Sequence, residues 1–148
     1  MRFALAIAIA MLSLISIGCS KTFNIACRPE RLLQETARFS DGALNALDHG
    51  NTNLLRGETA PYSFRTAREI SDHLIGCMAF SEPGSKLRSF ARSALTDVEY
   101  AYSFLESAEE TPLFLSDPAN YSYFRNRLEA LRSKTEDYST RYDGQPLR

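Results

Sequence analysis

Beyond residue 26, apolar side chains recur three and four positions apart in four stretches, the period of a helix with one buried face. The spacing predicts a first helix over 29–49, with Leu32, Thr36, Phe39, Ala43 and Leu47 on one side. Pro29 suits its opening turn and Gly50 its exit. A second, over 63–79, repeats at Ala67, Ile70, Leu74, Cys77 and Met78. After the Pro83-Gly84 break, a third over 85–110 runs Leu87, Ala91, Ala94, Val98, Ala101, Leu105 and Ala108, small residues that let a neighbouring backbone come close. The fourth opens at Asp117-Pro118, a cap followed by a proline, and carries Tyr121, Phe124, Leu128, Leu131, Thr135, Tyr138 and Tyr142. Alternating strand patterns are scarce. Amphipathic helices with mostly short links predict an all-α, up-down-up-down four-helix bundle. The exception is the polar link at 50–61, interrupted by Leu54-Leu55.

The first 18 residues follow another pattern. Met1-Arg2 leads into a mostly apolar run from Phe3 to Ile17, and Gly18 precedes Cys19. A bilayer span needs about 20 apolar residues, so a shorter run with a small-residue exit reads as a secretory signal. At Ser16-Ile17-Gly18-Cys19 the chain resembles the lipobox of bacterial lipoproteins: Gly18 and Cys19 match, while Ser16 stands where Leu is usual. The resemblance covers the leader alone. It implies cleavage before Cys19 and acylation of that cysteine, and Ser20 is similar to the outer-membrane sorting preference of that class. On this reading 1–18 is the signal peptide, 19–26 a lipidated tether and 27–148 a helical domain facing the periplasm. Several acyl chains hold a protein firmly where one binds only marginally.

Cysteine parity fits that expectation. Of Cys19, Cys27 and Cys77, lipidation of the first leaves an even pair, which an oxidising compartment would join. In a hairpin of the first two helices the start of one lies beside the end of the other, so Cys27 and Cys77 should meet at one pole. Closing that loop would stabilise the fold by about 4 kcal/mol in the chain-entropy picture.

Charge narrows the partners. A formal net charge of −1 is too balanced for a nucleic-acid binder. The third helix places Lys86, Arg88 and Arg92 at its start and Glu106, Glu109 and Glu110 at its end, against the helix dipole. Complementary charges within the bundle would explain this, the acids near Arg65, Arg68 and Arg125, the bases near Glu30 and Asp137.

Catalytic signals are weak. His73 and Cys77, four apart, could join Cys27 in a partial metal site, but zinc sites need further ligands and an exported cysteine pair oxidises more readily. No Gly-x-Ser-x-Gly or Ser-x-x-Lys spacing occurs. Acid pairs such as Asp97/Glu99, Glu109/Glu110 and Glu136/Asp137 read as solvated helix faces. The expectation is therefore a binding protein rather than an enzyme, with neither metal nor cofactor.

One stretch stands out: TPLFLSDPANYSYF, residues 111–124. Leu113, Phe114 and Leu115 cluster in a connection, where side chains are normally polar, and Tyr123 falls beside the seam of the fourth helix. Two readings fit: the leucines cap the core, or they form an aromatic-aliphatic anchor ringed by Arg125 and Arg127. Up-down topology places Leu54 and Leu55 at the same pole, opposite the tether. The anchor reading implies a protein partner in the cell envelope, for an assembly factor, an immunity or inhibitor protein, or an exclusion factor. A bundle holding a small apolar ligand between its helices is the alternative.

Overall fold

Where the apolar period predicts helices, the chain forms them. A computed structural model describes residues 27–111 and 113–141, with helices α1 (Pro29–Asp48), α2 (Phe64–Phe80), α3 (Lys86–Glu110) and α4 (Pro118–Arg141). Short 3₁₀ turns at Thr52–Leu55 and Phe114–Ser116 sit in the two longer connections. Among the described residues there is no strand. Cys19, the lipobox, the tether and Tyr142 lie outside them.

Local chemistry sets the boundaries. Pro29 opens α1, Ser63 accepts a hydrogen bond from the Thr66 amide at 3.5 Å, and Ser85 accepts from that of Arg88 at 3.2 Å. Asp117 Oδ1 accepts from the amides of Ala119 at 2.8 Å and Asn120 at 3.2 Å. Each cap occupies amides that have no partner inside their own helix. Gly50, at φ 64°, turns the chain out of α1 in a conformation that a side chain would disfavour.

The four seams meet in one core, with Phe39 and Phe124 among its largest fully buried side chains. Polar residues inside it are satisfied locally. Thr36 donates to the Leu32 carbonyl, Ser40 to that of Thr36 and Thr135 to that of Leu131. Thr135 also meets the Thr36 hydroxyl across the α1–α4 seam at 3.3 Å.

Packing around the ring of helices is unequal. α2 and α3 pack most extensively, α4 lies against both α1 and α3, and α1 and α2 pack least. The weakest seam is tied covalently at one end: Cys27 and Cys77 form a disulfide with their Cα atoms 4.6 Å apart. At its other end the Tyr62 ring lies directly on Gly42. A Cβ there would fall 2.0 Å from the ring, so glycine, unfavourable within a helix, is what admits the tyrosine.

The charge pattern of α3 is resolved differently from expectation. Among the described residues no ion pair joins Glu106, Glu109 or Glu110 to Arg65, Arg68 or Arg125. Glu109 instead accepts from the Gly57 amide at 2.5 Å and Glu106 from the Tyr102 hydroxyl at 2.8 Å. The hydrogen bond to Glu106 holds the Tyr102 phenol above its usual range. Glu109 thus ties the end of α3 to the 50–61 link, while Glu106 bonds within its own helix.

Candidate functional site

Positions 100 and 104 on α3 and 123 and 127 on α4 are each one turn apart, so the antiparallel pair lines up four side chains along its outer groove. Phe104 stacks on Tyr123 with centroids 4.9 Å apart, Tyr100 meets Tyr123 edge-on at 5.9 Å, and Phe114 joins Phe104 at 5.4 Å. Phe104 also stacks over Phe124, 6.2 Å away, which roots the cluster in the core. Its outer members are open to solvent: Tyr100 is 42% exposed and Tyr123 36%, and Leu113, the chain neighbour of Phe114, is 75% exposed.

Arg127 organises this surface. Its guanidinium carbon lies 4.3 Å from the Tyr100 centroid and 5.0 Å from that of Tyr123, within cation–π range. Its Nη2 donates to the Tyr123 hydroxyl at 2.9 Å, a contact that raises the guanidinium pKa. Beneath it, Asp97 is buried and receives Arg127 Nη1 at 3.3 Å and the Lys134 ammonium on its other oxygen. Lys134 also donates to the Ser93 carbonyl at 3.0 Å. A buried carboxylate is costly unless such cations and hydrogen bonds satisfy it. The result is an arginine held against the faces of two exposed rings.

The structure divides the residues singled out from sequence. Phe114, Tyr123 and Arg127 share the α3–α4 face, while Leu113 is exposed at the turn just before Phe114. Leu55, at 1% exposure, and Leu115, at 8%, belong to the core, because the 3₁₀ turns carrying them direct one leucine inward. Leu54 remains exposed, but its turn packs against α1 rather than on the aromatic face. Arg125 projects from another side of α4 and pairs with Asp48 and Glu129, which raise its pKa, so it ties α4 to the end of α1. Tyr100 and Phe104 were not singled out from the sequence. The acid-pair reading of Asp97 with Glu99 is overturned for Asp97, which sits beside the buried stripe Ala94, Val98 and Ala101.

A second feature is a groove of about 1000 Å³ along the open α1–α2 seam. Phe39 and Ile70 form its floor and Tyr62 closes one end. Toward the disulfide, His73 Nδ1 lies 2.8 Å from Glu35 Oε2, while the Arg28 amide donates to Nε2 at 3.4 Å. Nε2 therefore accepts and Nδ1 carries the proton toward Glu35. Arg31 also reaches Glu35, at 2.6 Å. Partial burial opposes ionisation of Glu35, yet the hydrogen bonds from His73 and Arg31 outweigh it and hold the carboxyl below its usual range. Both ring nitrogens of His73 are thus engaged, and the sulfurs once paired with it as metal ligands are joined to each other.

Among the described residues no helix is long and apolar enough to cross a membrane. In comparisons with known proteins, the chain matches no family model, no curated protein and no solved structure.

Proposed function

We propose that this protein is a lipid-anchored, outer-membrane binding module that holds a protein partner in the periplasm through its α3–α4 face. The observation that carries the reading is the exposed Tyr100–Tyr123 pair with Arg127 stacked against both rings and held by Asp97. Exposed tyrosines around an arginine that has already lost its rotamer freedom suit the centre of an interface, since little entropy is left to lose on binding. The lipobox resemblance supports the anchoring, and the aromatic face supports the partner.

Cross-linking the full chain in its own envelope, with capture and mass spectrometry, tests this. One stoichiometric partner is expected, depleted severalfold by Leu113→Asp together with Tyr123→Ala, and Cys19→Ala should release the protein from membranes. Recovery of no enriched protein, or of the same partner at an unchanged level with the double variant, would overturn the proposed face.

A further inference from the structure

Lys86, Arg88 and Arg92 stand in the first two turns of α3, where the helix dipole disfavours cations. Among the described residues no ion pair relieves them: Asp137, the expected partner, is taken by Arg141 at 2.7 Å. Up-down order brings the start of α1, the end of α2, the start of α3 and the end of α4 to one pole, the one tied by the Cys27–Cys77 disulfide. Arg28 adds a further cation there, and among the described residues these cations outnumber the acids of the pole that lack an ionic partner, Glu30 and Glu82. Helical side chains lean toward the helix N-terminus, so the α3 cations lean toward this pole. At the far end of α3 stand Glu106, Glu109 and Glu110, which leaves the bundle polarised along its axis. The positive pole also carries Phe80, the last residue of α2, which at 62% exposure is the most open aromatic ring among the described residues.

We infer that this pole rests on the bilayer, with Phe80 at the level of the headgroups and Arg28, Lys86, Arg88 and Arg92 on anionic phospholipid. The contact rests on the lipid anchoring proposed above, because the chain enters the bundle at Cys27, on this same pole. From Cys19 to Cys27 a fully extended chain reaches about 28 Å at most, so an anchor at Cys19 keeps the pole near the surface. Anionic headgroups attract basic residues within about a Debye length. An aromatic ring beside those residues gains by leaving water at the boundary of headgroups and acyl chains. Lipid accounts for three features at once: cations left unpaired where the dipole opposes them, an open ring at the same pole, and the entry point of the anchored segment. A soluble acidic partner would account for the cations alone. The contact also turns the acidic pole away from a surface that repels it.

The chain contains no tryptophan, so Phe80→Trp and Leu54→Trp each introduce a single reporter, one at this pole and one exposed toward the other. The full chain carrying either change is purified from its membranes in detergent and reconstituted into vesicles of phosphatidylcholine with brominated acyl chains, with or without phosphatidylglycerol. Fluorescence of the Phe80→Trp protein should be quenched severalfold more than that of the Leu54→Trp protein, and more strongly when phosphatidylglycerol is present. Adding Lys86→Glu/Arg92→Glu, both at exposed positions and favoured there by the helix dipole, should remove the dependence on phosphatidylglycerol, as should high salt. An unquenched Phe80→Trp protein, equal quenching of both reporters, or quenching indifferent to phosphatidylglycerol overturns the contact. Flotation of the same vesicles reads the anchor separately. A chain that floats with phosphatidylcholine alone while its Phe80→Trp reporter stays unquenched in both lipids loses the contact and keeps the anchor. Failure to float with phosphatidylcholine, with flotation and quenching restored by phosphatidylglycerol, sinks the anchor and leaves the contact standing.

Discussion

α2 has two neighbours and treats them differently. Toward α3 it is closely packed, against a helix whose buried stripe includes Ala91, Ala94, Ala101 and Ala108. Toward α1 it stands apart over a groove edged by arginines and carboxylates. Both seams join amphipathic helices of similar length, so length and propensity do not explain the contrast. Side-chain size does: an alanine stripe lets backbones approach until dispersion contacts are dense, whereas long charged side chains need solvent and keep a seam open. One seam is held by packing and the other by a disulfide, the His73–Glu35 hydrogen bond and Tyr62 on Gly42.

The largest expected effect removes the covalent clamp. With Cys27 and Cys77 separated by 50 positions in the sequence, replacing both by serine or reducing the bond should cost about 4 kcal/mol in the chain-entropy picture. Chemical denaturation with and without reductant measures it. An unchanged midpoint would mean that the α1–α2 seam holds without its clamp.

A smaller effect tests the packed seam. Ala94 is fully buried, and Ala94→Leu should cost about 1–3 kcal/mol by overpacking. The same denaturation experiment would sharpen the contrast if substitution of exposed Gln34 on the groove rim by leucine left stability within about 0.5 kcal/mol. Equal losses at the two positions would break it.

The subtlest prediction concerns pH within the open seam. Hydrogen bonds from His73 and Arg31 depress the pKa of Glu35 in the folded state, so the folded state binds fewer protons there than the unfolded one as pH falls. Its contribution is therefore complete above the usual carboxylate pKa and is lost as pH falls through the lower folded value. The stability difference between the native chain and Glu35→Gln should be greatest near neutrality and shrink in acid. Denaturation midpoints at a series of pH values would show it, and a difference that grows toward low pH would contradict the assignment of the Glu35 contacts.

Much of the fold was legible from local chemistry. Leu32, Phe39, Leu74, Val98 and Phe124 all lie on the faces their spacing assigned, because a helix that buries one side must repeat apolar residues every three or four positions. The Asp117 cap and the Cys27–Cys77 pairing were legible for similar reasons: each depends on chain neighbours or on the antiparallel order of two adjacent helices. The candidate surface was half legible. An apolar cluster in a connection drew notice to Leu113 and Phe114, but which leucine of Leu113 and Leu115 faces inward depends on the turn between α3 and α4. Arg125 and Arg127 look alike in sequence, yet two helical positions turn a side chain by about 200°, to nearly the opposite side of the helix, sending one to Asp48 and the other to Tyr100.

The amino-acid sequence by itself determined the all-α class, the four helices, the seams they bury and the disulfide, since each follows from periodicity or from neighbours along the chain. Tertiary structure alone decided that Asp97 is buried, that Tyr100 and Phe104 join Tyr123, and that the α1–α2 seam opens into a charged groove. Those features arise between residues far apart in the chain. Whether a charge beside a seam meets water or a partner is set by which helix packs there and how closely, and no local pattern encodes that distance.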